Sequence, residues 1–180
     1  MENTNSHFFI DDTEYTVHRL TLDDLPAIQE VCAKCLDFML LVDGHAADPE
    51  SVKDDFLDVP PGRSSADKFV FGICNRHNEL VGLLDVLRDY PDQSTWWIGL
   101  LLFIPEARSK GLGKKVLQGF VEFISLNGGQ AIMLGVVEAN TRAIKFWTRK
   151  GFELVEIRAP EQFGEKIHRV MVMRRRLVEV

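Results

Sequence analysis

The chain has 180 residues, 46% of them hydrophobic and 27% charged, and carries a net charge of −6. This length suits one globular domain that buries roughly 70% of its unfolded surface, and an acidic balance argues against non-specific binding to nucleic acid or to an anionic membrane. No basic stretch followed by a long apolar core is visible near the start, so no secretion signal is expected, and the apolar run Ile98–Ile104 is too short to cross a bilayer. Three sparse cysteines, Cys32, Cys35 and Cys74, make no disulfide framework. The expectation is therefore a cytoplasmic protein with no membrane or nucleic-acid partner.

Residues 1–14 are polar and are expected to be partly disordered, with a single domain over 15–180. Tyr15–Leu20 reads as a first strand. Asp23 or Asp24 is placed to cap a helix whose stripe is Leu25, Ile28, Val31, Cys32, Cys35 and Met39. Asp48-Pro49 opens a short helix that turns Val52 and Phe56 inward. Lys68–Cys74 and Leu80–Leu87 follow as two strands around a hairpin turn. The apolar strand Trp96–Ile104 leads through a loop into a helix bearing Val116, Leu117, Phe120, Phe123 and Ile124 on one face. Ala131–Val137 is a second apolar strand, and such a strand–helix–strand unit implies a parallel pair covered on both faces. Asn140 caps a short helix with Ala143, Ile144, Phe146 and Trp147 inside, and Gly151 stops it. Phe152–Ile157 and Lys166–Arg175 close the chain as two strands joined by a loop with Pro160 and Gly164. The order is mixed α/β with a short-connection antiparallel start and end.

The chemistry-bearing segment is Arg108-Ser109-Lys110-Gly111-Leu112-Gly113, between a buried strand and a helix, with Lys114 just inside. Two glycines allow close approach of the backbone to a ligand. The free N–H groups and the dipole of the helix start favour an anion of about pyrophosphate size. The bland alternative is a glycine pair before a solvated lysine face. A P-loop is excluded, because Arg108 stands where its first glycine belongs and Lys115 where Ser or Thr belongs. A dinucleotide fingerprint is excluded too, because Val116 occupies its last small position.

The spacing Arg108, Gly111, Gly113 after Leu101-Leu102-Phe103-Ile104-Pro105 resembles the pyrophosphate motif of the GNAT superfamily of N-acetyltransferases. Leu134, Val136, Asn140, Ala143, Phe146, Gly151 and Phe152 resemble the family's next strand, short helix and Gly-Phe stop. The resemblance implies a central, V-split, mostly antiparallel sheet flanked by helices. It implies acetyl-CoA as cosubstrate, held by Leu101, Leu102, Phe103, Arg108–Lys114, Asn140 and Phe146. It also implies direct transfer of an acetyl group to a primary amine, carried by a small molecule or a peptide, with a homodimer admitted as the assembly. Acceptor recognition would fall between Leu36 and Gly62, a stretch holding Asp37, Asp43, His45, Asp48, Asp54 and Asp55, which favours a cation.

The resemblance breaks at the catalysts. Trp97 stands where many members carry a basic Glu, and Trp147 where many carry an acidic Tyr. An indole donates a hydrogen bond but does not titrate. The substitutes are Glu138 first, then Asp85, Asp89 and Tyr90. The alternative function is a catalytically weak acyl-CoA-binding module. Cys32 and Cys35 lie on an apolar stripe without partner ligands, and the five histidines show no ligand spacing, so no metal is expected.

Overall fold

The computed structural model describes residues 7–177. Its strands are β1 (Tyr15–Arg19), β2 (Lys68–Asn75), β3 (Leu80–Arg88), β4 (Thr95–Phe103), β5 (Ala131–Val137), β6 (Glu153–Ile157), β7 (Glu161–Phe163), β8 (Lys166–His168) and β9 (Val170–Arg176). Its helices are α1 (Leu25–Lys34), α2 (Leu36–Val42), α3 (Pro49–Leu57), α4 (Leu112–Leu126) and α5 (Thr141–Arg149). One sheet runs in the order β1-β2-β3-β4-β5-β9-β6, and β7 and β8 form a separate hairpin. Every neighbouring pair is antiparallel except β4 and β5. No helix among the described residues is long and apolar enough to cross a membrane.

The central strands are apolar on both faces because both faces are covered. On one face Val116, Phe120 and Ile124 of α4 pack against Phe71, Trp96 and Leu134, with Trp147 of α5 joining them. On the other, Ile28, Cys32 and Met39 of α1 and α2 pack against Val70, Leu83 and Leu102. Phe120 and Trp96 are almost wholly buried, and truncating an aromatic of this kind to alanine costs about 3–5 kcal/mol.

The split lies between β4 and β5. They pair only from Thr95 with Ala131 to Ile98 with Leu134. Beyond that, Leu100–Phe103 pair only with β3, and Gly135–Val137 only with β9. The split starts at a bulge. Val86 opposes Ile98 while Asp85 opposes Leu100, which leaves Gly99 as the extra residue. A bulge bends its strand and ends regular pairing on that side.

Several expectations change. The stripe from Leu25 to Met39 is two helices, because the chain breaks at Cys35 (φ −94°, ψ 40°). Thr21, not Asp23, caps the 3-10 turn Leu22–Asp24 in a capping box with Asp24, and Asp24 makes no side-chain cap to α1. The final loop holds the β7–β8 hairpin, and the last strand is interrupted at Arg169. Of the N-terminal segment, residues 1–6 lie outside the described residues. Phe8 is buried against Phe71, Phe120 and Phe123, and Asp12 accepts from Lys115 Nζ at 3.0 Å. A Cβ on Gly119 of α4 would stand 2.2 Å from Phe9 O, so this mid-helix glycine is where the segment crosses.

Candidate functional site

The anion loop is built by the end of β4. After Phe103 the chain makes a 3-10 turn over Pro105–Ala107, Arg108 is extended, and Ser109 takes a positive φ of 62°. Gly111 immediately precedes α4 at φ +77°, and no side chain caps the helix. The Lys114 and Lys115 N–H groups close on Gly111 O at 3.0 and 3.3 Å. The preceding amides of Leu112 and Gly113 find no acceptor among the described residues. Such a run of free N–H groups at a left-handed turn and helix start is an anion cradle. A Cβ on Gly111 would meet nothing within 4 Å, so its space is open, yet its backbone favours glycine. A Cβ on Gly113 would stand 3.4 Å from Phe146 Cζ and 3.5 Å from Phe103 Cε2, at a narrow passage between β4 and α5. Lys110 and Lys114 are exposed beside the loop, and Arg142 donates to Ser109 Oγ at 3.2 Å. Asn140 caps α5 by accepting from Ala143 N–H at 3.1 Å. The loop thus fits a diphosphate through its backbone.

Arg108 itself turns inward. Its Nε donates to Phe103 O at 2.7 Å, and both terminal nitrogens donate to the Asp37 carboxylate.

On the α1–α3 face the sheet forms the floor of a cavity of about 590 Å³. Val70, Leu83 and Leu100 supply apolar floor, and Phe38, Met39 and Phe56 supply the roof. The turn of the β7–β8 hairpin, with Phe163 and Gly164, closes one side. It is docked by Glu165 N–H on Asp43 O at 2.6 Å, and a Cβ on Gly164 would collide with that carbonyl at 2.5 Å. Asp43, Asp48, Asp55, Asp58 and Asp85 line the cavity against only Lys68 and His45 of opposite or titratable charge. Gly99 and Leu100 are also part of the wall, so the cavity reaches the bulge where β4 leaves β5.

Asp85, like Asp43, is half-buried, and Lys68 Nζ lies 3.2 Å from its carboxylate. Burial pushes its pKa up to about 6, and the Lys68 ammonium opposes that rise. Asp85 Oδ2 is 3.5 Å from where a Cβ on Gly99 would be, so the carboxyl faces the bulge.

The other sequence candidates are scattered. Glu138 is exposed one residue beyond β5, and its N–H donates to Arg169 O at 2.9 Å. Asp89 has a left-handed backbone, and its Oδ1 accepts from Ser94 N–H at 2.7 Å, which holds the β3–β4 turn. Tyr90 stands edge-on to Trp97 with ring centroids 5.7 Å apart, and the Arg158 guanidinium lies 5.7 Å from the Trp97 ring. Trp147 is buried between Phe146 and Phe152, at 4.9 and 5.0 Å between ring centroids. Cys32 is buried in the α1 core, which pushes its thiol up to about 11. No cluster of three or more metal-ligating side chains occurs among the described residues.

Sequence reasoning missed Asp58, Lys68, Gly99, Arg142 and the hairpin. Two carried a signal. Gly99 interrupts an apolar strand, the usual mark of a bulge, and Lys68 is the one charge opening an apolar strand.

The model of the acetyltransferase (GNAT) family matches residues 36–152. No curated protein matches the sequence. Among solved structures, an acetyltransferase from Thermus thermophilus superposes with a TM-score of 0.74 at 23% identity, covering 91% of this chain and 97% of that one. The spermidine N-acetyltransferase from Vibrio cholerae, in complex with CoA and spermine, gives 0.71 at 15% identity, covering 92% and 96%. The ribosomal-protein-S18-alanine N-acetyltransferase from Escherichia coli gives 0.64 at 14%, covering 90% and 93%. At these identities the structural likenesses show the fold.

Proposed function

Because the chain belongs to the GNAT family of acetyltransferases, whose chemistry is acyl transfer from an acyl-CoA to an amine, we propose that it moves an acetyl group from acetyl-CoA directly to a primary amine seated in the α1–α3 cavity. The observation that carries this reading is the meeting point at Gly99, where the cavity wall and the opening of the β4–β5 split coincide. The pyrophosphate is assigned to the amides of Ser109–Gly113, and the coenzyme arm to the unpaired edge of Leu101–Phe103 beside Phe146. Asn140 and Lys114 flank that path.

The acceptor enters as an ammonium ion, with a pKa near 10 in an alkylamine. The half-buried Asp85 carboxylate takes one of its protons, directly or through a water. The freed nitrogen attacks the thioester carbonyl carbon, and the oxyanion that forms is met by backbone N–H groups at the open edge of β4. The C–S bond then breaks, the nitrogen loses its second proton, and the thiolate takes up a proton, giving an amide and free coenzyme A. Glu138, the first choice from sequence, stands second because it is exposed and lies outside the cavity wall. Asp89 is committed to a turn and Tyr90 to a ring contact.

The acidic lining supports a cationic acceptor, and the spermine-bound relative supports an amine of that class on this fold. The second reading, an acyl-CoA-binding module without turnover, rests on indoles at Trp97 and Trp147. A screen of mono- and polyamines and of amine-bearing peptides with acetyl-CoA, read by thiol release, separates the two. Acetylation of any amine supports the enzyme. Tight acetyl-CoA binding without thiol release from any acceptor supports the module.

A further inference from the structure

We infer that Arg108, the first residue of the coenzyme motif, is a positioning residue that latches the coenzyme loop to the helix roofing the acceptor cavity, rather than a ligand of the coenzyme phosphates. This rests on the function proposed above and extends it to the coupling of the two substrate sites.

The geometry is a three-way junction. Arg108 Nε donates to Phe103 O at the end of β4, at 2.7 Å. Its two terminal nitrogens take both oxygens of Asp37 on α2, one of them at 3.0 Å. Cys35 Sγ, at the break between α1 and α2, donates to the same Phe103 carbonyl at 3.4 Å. The break at Cys35 is what brings Cys35 and Asp37 onto the end of β4 together. Three of the five guanidinium donors are therefore directed at protein acceptors, and the Arg108 side chain is only 17% exposed. A bidentate guanidinium–carboxylate pair is directional in a way that a lysine contact is not. Its partners respond accordingly: the Arg108 hydrogen bond holds Asp37 below the usual carboxylate range, and Asp37 raises Arg108.

Each end of the junction belongs to a different site. Ser109, the next residue, begins the amide cradle with its positive φ. Phe38 and Met39, the next two residues after Asp37, roof the cavity. A ligand that orders the cradle therefore orders Arg108, and through Asp37 it orders α2. Two substrates that each bear on one shared element bind with a reciprocal coupling free energy. Filling the coenzyme site should then tighten the amine site.

The test compares Asp37→Asn, Arg108→Gln and the double variant with the parent. Asp37 is largely exposed, so Asp37→Asn is expected to fold, and thermal unfolding checks it. Calorimetry with acetyl-CoA comes first: no binding to the parent overturns the proposed function, not the latch. Given binding, hydrogen exchange across residues 36–42 is measured with and without coenzyme. The latch predicts that coenzyme slows exchange there in the parent and not in Asp37→Asn. It also predicts that each single variant raises the amine KM about tenfold with kcat nearly kept, and that the double variant is no worse than the larger single one. Acetyl-CoA affinity should stay within about threefold in Asp37→Asn. Two results overturn the latch. One is coenzyme protection of 36–42 that persists in Asp37→Asn. The other is a loss of acetyl-CoA affinity of tenfold or more in Arg108→Gln with none in Asp37→Asn, which makes Arg108 a phosphate ligand.

Discussion

The coenzyme side and the acceptor side of this molecule are made by different physics. The segment proposed for the coenzyme, from β4 through α4 and β5 to α5, is contiguous, and it offers backbone: free amides, a left-handed glycine and the edge of a split strand. The acceptor side is assembled from α1, α2, α3, three strands and a distant hairpin, and it presents side chains. A backbone cradle tolerates varied side chains provided that the glycines remain. A cavity of side chains can be recoloured one residue at a time. The same architecture can therefore keep one cosubstrate while the acceptor changes, and under the proposed function the choice of amine falls to Asp43, Asp55, Asp58, Lys68 and Asp85 rather than to the motif.

The largest expected effect lies on the acceptor side. If Asp85 is the base, Asp85→Asn should lower kcat by about 10²–10⁴ while acetyl-CoA affinity measured by calorimetry is kept. The pH profile adds a sign. A base at Asp85 would work as the carboxylate, which forms as pH rises through about 6, so kcat/KM of the parent should climb across that pH, and this limb should disappear in the variant. A profile unchanged by Asp85→Asn removes the residue from the mechanism.

On the coenzyme side the sharpest break is Gly111→Asp. A left-handed position loses its glycine and gains a charge like that of the phosphates, for a combined cost of about 2–3 kcal/mol, or roughly a hundredfold in acetyl-CoA Kd. Calorimetry showing parent-like affinity would place the coenzyme elsewhere. The acetyl-CoA KM of Asp85→Asn should by contrast shift little, which keeps the two halves distinguishable.

A smaller effect separates charge from shape in the cavity. An aliphatic diamine should show a KM about tenfold below that of a monoamine of equal length at low ionic strength, and the gap should narrow as salt screens the carboxylates. Equal KM values at all salt concentrations would mean that the acidic lining does not read the second cation. The smallest change expected is Glu138→Gln, within about threefold of the parent across the pH range, as for an exposed surface residue. A fall of two orders of magnitude there, with Asp85→Asn near normal, would return the base to the position ranked first from sequence.

The contrast between the halves also explains what was legible. The glycine spacing, the Asn140 cap and the parallel pair lie within one stretch and follow from short-range rules, so they were readable in order. Trp147 in the core followed from helical period. The break at Cys35 was not readable, because an apolar stripe continues through it and the turn is held by a contact with Phe103, far along the chain. Nor was the β7–β8 hairpin, whose three-residue strands carry little pattern and whose turn is pinned by Asp43.

By itself the sequence determined the order of elements from β2 through α5, the two-sided apolar sheet and the glycine loop before α4, because period, capping and glycine conformations act between residues a few positions apart. The tertiary structure alone separates Asp85 from Glu138 and joins Arg108 to Asp37. Asp85 differs from Glu138 in burial, in a lysine brought from the neighbouring strand and in a bulge across from it, none of which is local. Arg108 and Asp37 stand 71 residues apart. Desolvation and ion pairing depend on what folding brings alongside a group, and one-dimensional spacing does not carry that information.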